Sequence, residues 1–249
     1  MVDDSDAGGP FARFPATRHS AIFAAQSTNV AERQRGLAIL AETYWKPAYK
    51  YLRTRFRQSN EDAADLTQAF FARALEKDFF DGYDPSRGSF RTYLRTCLDR
   101  FVANEKKAAT RVKRSPGSPL LSLDFAGAEE ELLREDPADH RSLERYFHDE
   151  WIRSLFGHAV AQLEQECARR GKDVSFRLFE RYELERGAAG KVTYEDLAKE
   201  FGIAPTQVTN FLAFARREFQ RIVLQRLREI TISDREFREE AKSLFGVSE

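Results

Sequence analysis

The sequence predicts an all-α protein: two helical domains joined by a linker, the C-terminal one containing a helix-turn-helix. Three observations carry this. Apolar residues recur every three or four positions through most of the 249 residues. Strand signals are almost absent. Caps and breakers fall between the periodic stretches, as in Ser27-Thr28-Asn29, Ser115-Pro116-Gly117-Ser118-Pro119 and Thr193 with Asp196.

Met1 to Pro10 is rich in Asp, Gly and Ser, and residues 1–19 read as a disordered arm. A short helix is expected near Ser20 to Gln26. From Val30 to Arg57 a helical pattern runs through Leu37, Leu40, Ala41, Tyr44, Ala48, Tyr51, Leu52 and Phe56, with Pro47 expected to kink or split it. The stretch from Asn60 to Lys107 organises the first domain (20–114). Its opening helix places Ala63, Leu66, Phe70 and Ala74 on one side and Asp62, Asp65, Ala69 and Glu76 on the other. After a turn at Asp81 to Gly88, a second helix starts near Ser89, with aromatic side chains at Phe90, Tyr93 and Phe101. Bases follow at Lys106, Lys107, Arg111, Lys113 and Arg114. An acidic face followed by an aromatic and basic one suggests a module with two different partners.

Residues 115–142 read as a linker, with an acidic stretch carrying Gly127 and Pro137. The second domain (143–230) opens on a helical pattern at Tyr146, Phe147, Trp151, Leu155, Phe156, Val160 and Leu163, which Gly171-Lys172 should end. Phe176 to Leu184 makes another helix, and Gly187 and Gly190 mark a loop. Tyr194 to Ala213 then reads as a helix-turn-helix. Thr193 and Asp196 form a capping box, Gly202 supplies the turn, and Leu197, Phe201, Ile203, Val208 and Phe211 fill the space between the helices. Thr206, Gln207, Thr209 and Asn210 can reach base edges, with Arg216, Arg217 and Arg221 near phosphates. The tail, 231–249, is charged, with Phe237, Ala241, Leu244 and Phe245 at helical intervals.

Composition excludes several classes. Net charge is zero, yet the bases at 106–114 and the acids at Glu129 to Asp136 cancel globally and not locally, so phosphate binding stays in play. Cys97 and Cys167 lie far apart with no CxxC and no His pair, so no metal site is expected and reduced, packed cysteines are. Four scattered histidines and no Gly-rich phosphate loop argue against an enzyme and against a cofactor. No apolar run is long enough for a membrane span and no leader opens the chain, so a cytoplasmic protein is expected.

In the order and spacing of these features the chain resembles an extracytoplasmic-function (group IV) sigma factor of bacterial RNA polymerase, from about Ala21 to Ile230. Residues Asp62 to Phe71, DAADLTQAFF, are similar to the polymerase-binding motif usually read DAEDLVQEVF. Phe90-Arg91-Thr92-Tyr93-Leu94 is similar to the FRxWL stretch at the start of the segment that meets the promoter −10 element. Gln207 to Arg216 resembles the TVKSRLxRAR recognition helix. The resemblance implies a factor that binds core RNA polymerase, on the coiled coil of β′, and promoter DNA. Polymerase binding would fall to Asp62, Asp65, Gln68, Ala69 and Glu76. Contact with the −10 element would fall to Phe90, Arg91, Tyr93, Arg100, Asn104, Lys106 and Lys107, and with the −35 element to Thr206, Gln207, Thr209, Asn210, Arg216 and Arg217. The chain departs from the pattern at Ala64 and Ala69, where the family usually has Glu, and at Thr67, usually apolar. A serine/threonine kinase acting on Thr67 would restore the missing charge and switch polymerase binding on. Such a kinase or an anti-sigma factor are the regulatory partners to look for. The alternatives are a stand-alone helix-turn-helix regulator and a degenerate sigma-like adaptor.

Overall fold

The computed structural model describes residues 20–75, 79–109, 123–134, 142–185 and 192–246. Every regular element among them is helical: α1 (Ala21–Ala25), α2 (Val30–Phe56), α3 (Asn60–Ala74), α4 (Phe90–Ala109), α5 (Phe125–Arg134), α6 (Leu143–Arg169), α7 (Asp173–Phe179) running into a π-helical turn (Glu180–Leu184), α8 (Tyr194–Phe201), α9 (Pro205–Glu229) and α10 (Asp234–Phe245). The arm 1–19 lies outside the described residues, as do Glu76, the bases Arg111, Lys113 and Arg114, and the loop glycines Gly187 and Gly190.

The helices start where side chains can satisfy free N–H groups. Ser20, Asn29, Ser59, Ser142, Thr193 and Ser233 each accept a backbone N–H of the first turn of the helix that follows. α2 is the central helix and packs against α1, α3, α5 and α6. At its crossing with α1 a Cβ on Gly36 would sit 2.5 Å from the Ala21 carbonyl oxygen, so this contact requires glycine.

Of the two outcomes expected at Pro47, a split does not occur: α2 runs through it as one helix. A proline at this position leaves the carbonyl of Thr43 without its helical donor. The hydroxyl of Ser154, on α6, donates to that carbonyl at 3.0 Å and is itself buried. The repair comes from a residue 111 positions away in sequence.

The expected linker also contains a helix. Asp124 accepts the N–H of Gly127, and Phe125 packs its ring on Trp45 and Tyr49 of α2. Glu129 of α5 pairs with Arg53 and accepts from the Tyr49 hydroxyl. That hydrogen-bonded guanidinium holds the Glu129 carboxyl below its usual range. Lys50, with 1% of its side chain exposed, points between Glu150 of α6 at 2.8 Å and Glu131 of α5 at 3.2 Å. Such a buried charge costs several kcal/mol to desolvate, so its partners fix which helices meet more than they add net stability. The N-terminal and C-terminal halves share one apolar core around α2 and α6.

Candidate functional site

α3 buries Ala63, Thr67, Phe70, Phe71 and Ala74. The stripe therefore runs through Thr67 where Leu66 was expected; Leu66 is only half-buried. This rotation leaves Glu61, Asp62 and Asp65 exposed, with Gln68 and Ala69 half-buried beside them. Positions 62, 65 and 69 follow the helical repeat and share the outer face, with Gln68 on its flank. Of the residues expected to bind polymerase, the structure brings together Asp62, Asp65, Gln68 and Ala69; Glu76 lies outside the described residues. Acidic residues in the first turn also suit the partial positive charge at that helix end.

Thr67 is on the opposite side. It is 0% exposed, and its hydroxyl donates to the carbonyl of Ala63 at 2.7 Å. The expectation of a phosphorylation site beside the acidic face is corrected here: in this arrangement neither a kinase nor a phosphate can reach the hydroxyl. A β-branched hydroxyl residue can satisfy its own polar group on the preceding turn, which lets threonine occupy a core position.

α4 buries Phe90, Leu94, Leu98 and Val102. Phe90 is 0% exposed, ringed edge-on by Tyr44, Phe80 and Tyr83. It is a core residue and cannot stack on a base, which corrects its assignment to the −10 contact. Arg91 turns toward α6 and α10: its guanidinium lies 4.6 Å from the Trp151 ring centre and donates to both oxygens of Glu240 at 2.9 and 3.0 Å. As the structure stands it is occupied. Tyr93, Arg100, Asn104 and Lys107 share a different flank of α4, at helical spacing, with the last three exposed and Tyr93 half-buried. Lys106 falls in the same last turns of the helix. The residues expected to meet DNA are thus divided between a covered end and an open one. Between α4 and α6 lies a cleft of about 640 Å³, with Arg91, Arg95, Arg145 and His148 in its walls alongside Glu144 and Asp149.

The expected capping box on α8 is formed, with Thr193 and Asp196 bonded in both directions. Gly202 takes φ +65° and the chain turns into α9. Val208, Leu212 and Ala215 open the buried stripe of α9, so Leu212 takes the core place expected for Phe211, which is half-buried. Thr206, Gln207, Thr209, Asn210, Arg216 and Arg217 are all exposed. Three of them already have internal partners. Gln207 accepts the Ala204 N–H, Thr209 donates to the Pro205 carbonyl, and Arg216 pairs with Glu183 at 2.6 Å over the Tyr182 ring. Arg221 likewise turns to Glu166 and Glu218.

Residues 40–112 match the family model for sigma-70 region 2. This match over residues 40–112 supports a factor of the sigma-70 family. No curated protein and no solved structure matches the chain. Region 2 of sigma factors in general binds core RNA polymerase and promoter DNA, and here it takes in the second part of α2 together with α3 and α4. Both faces described above, the carboxylates of α3 and the Tyr93 to Lys107 flank of α4, fall inside it. Among the described residues no helix is long and apolar enough to cross a membrane.

Sequence reasoning missed what region 2 touches on its other side. Glu236 and Glu240 of α10 are both buried, at 8% exposure, against the start of α4. Tyr83, beside them, has its hydroxyl pKa pushed far up by burial and then by the charge of Glu236. Nothing in a charged helix such as DREFREEAKSLF distinguishes a glutamate that will be buried from one that will stay in water.

Proposed function

We propose that the protein is an alternative sigma factor of the extracytoplasmic-function kind, binding core RNA polymerase and directing promoter-specific initiation. The observation that carries this reading is the region 2 match at 40–112, whose α3 turns Asp62 and Asp65 outward while its apolar side is spent on the core. In this proposal the α3 face docks on a basic surface of polymerase, the β′ coiled coil by resemblance. The Tyr93, Arg100, Asn104 and Lys107 flank of α4, with Lys106, meets the −10 element, where aromatic and basic groups suit unstacked bases. α8 and α9 act as a helix-turn-helix at the −35 element. Thr206, Asn210 and Arg217, at positions that share the exposed side of α9, present hydroxyl, amide and guanidinium groups to the groove. Activation through Thr67 is not part of the reading, because that side chain is in the core.

The test is co-elution with core polymerase and run-off transcription, comparing wild type with Asp62→Lys/Asp65→Lys. Both side chains are exposed, so stability should hardly change. Losing two charge-assisted contacts at a rim should weaken polymerase binding at least about tenfold, more at low salt than at high. Wild type that fails to bind core polymerase, or a double variant that binds equally well, overturns the proposal.

A further inference from the structure

The start of α4 collects three donors aimed at one place: the Phe90 N–H, the Tyr83 hydroxyl and the Arg91 guanidinium. α10 fills that place with two carboxylates. Glu236 Oε1 accepts the Phe90 N–H at 2.9 Å and the Tyr83 hydroxyl at 3.1 Å, while Oε2 accepts the Ile232 N–H at 3.0 Å. Glu240, one helical turn on, takes Arg91. The acceptors lie 146 and 149 residues away in sequence from the groups they hold. A free N–H at a helix N-terminus together with a guanidinium is also what holds a phosphate. α10 buries Ala241 and packs Phe237, Leu244 and Phe245, half-buried, against the core, with Phe245 stacked on Phe156 at 6.4 Å between ring centres and Phe237 under Arg228. The two buried carboxylates of this helix add specificity and little net stability, because desolvation offsets the attraction.

We infer that α10 is an internal competitor for nucleic acid: Glu236 and Glu240 occupy the donors on region 2 that the phosphates of the promoter strand take when the tail is displaced. The inference rests on the proposed role of α4 in DNA binding and adds to it a closed state of the free protein. In that state Arg91 is withheld and α10 ties region 2 to the C-terminal half. In the open state the Arg91 guanidinium is released to a phosphate at the start of α4, on the side of the helix away from Arg100 and Lys107. The apparent affinity of the free protein for DNA is then lowered by the fraction of molecules that are open.

The experiment uses the full chain and a fluorescein-labelled single-stranded DNA oligonucleotide of mixed sequence, with binding read by anisotropy. Glu236→Gln/Glu240→Gln should bind at least about tenfold more tightly than wild type, the factor set by a latch open in one molecule in ten. A glutamine at 236 must turn an NH₂ toward one of the N–H donors now held by the two carboxylate oxygens. Adding Arg91→Ala to the double variant should remove the gain. Glu195→Gln/Glu239→Gln, which removes the same charge from exposed positions, should give none. A folded double variant that binds like wild type, or an equal gain in the surface control, overturns the latch. Should the double variant not fold, hydrogen exchange on wild type decides: bound oligonucleotide must raise exchange across 234–245, and unchanged protection there overturns the inference. Failure of the latch alone leaves core polymerase binding intact and DNA binding equal in all forms. Failure of the sigma reading removes polymerase binding from every form.

Discussion

Replacing Thr67 by aspartate separates a phosphorylation switch from a core residue. In the structure the side chain has no exposed surface and its hydroxyl is satisfied on the preceding turn by the Ala63 carbonyl. An aspartate there must either ionise without water or stay protonated. Keeping it neutral at pH 7 costs about 4 kcal/mol, since its ordinary pKa near 3.9 lies about three units lower and each unit is worth about 1.4 kcal/mol. Against a typical total stability of about 5–15 kcal/mol, this is a large loss. Valine keeps the shape and removes only a local hydrogen bond, so Thr67→Val should stay within about 1 kcal/mol of wild type. Urea unfolding followed by helix circular dichroism measures both, and core polymerase binding is assayed on the same samples. We expect Thr67→Asp to unfold several kcal/mol earlier and to bind polymerase no better. A Thr67→Asp protein as stable as wild type, with tighter polymerase binding, would refute the placement of Thr67 in the core and restore the switch.

Two further predictions follow from the packing of α6. Ser154→Ala leaves the Thr43 carbonyl, already deprived of its donor by Pro47, buried and unpaired, and should cost about 1–3 kcal/mol by urea unfolding; Pro47→Ala combined with Ser154→Ala should recover most of that, and failure to do so would sink the account of how α2 tolerates its proline. His148 has its pKa lowered first by burial and then by the Arg91 charge. Folding therefore favours its neutral form, so its contribution is fully present above the ordinary histidine value near 6.5 and is lost as pH falls below that toward the folded value. Unfolding midpoints of wild type should drop between pH 7.5 and pH 5.5 by more than those of His148→Gln; equal drops would show that His148 does not carry the effect.

Much of the candidate site was legible because it depends on neighbours in sequence. The outward carboxylates of α3, the Thr193 and Asp196 box and the Gly202 turn each require only the residues within one or two turns. Local periodicity carries an uncertainty of one residue in the centre of a stripe, and that uncertainty decided Thr67. A stripe centred on Leu66 leaves the threonine at the edge; one centred four residues after Ala63 puts it in the core beside Phe70 and Phe71. The same shift moved Leu212 inside in place of Phe211.

The sequence by itself determined an all-helical chain, the positions of its caps, and a region 2 whose first amphipathic helix shows acid to the outside. Only the tertiary structure decided which donors on those helices are held by distant carboxylates. The Ser154 hydroxyl that tolerates Pro47, the Lys50 ammonium between Glu131 and Glu150, and the α10 carboxylates on Phe90 and Arg91 all join residues far apart in the chain. Each is a polar group whose burial is favourable only when a distant partner arrives, and periodicity registers burial of apolar surface alone. A charged side chain bound for the core therefore reads, in sequence, like one bound for solvent.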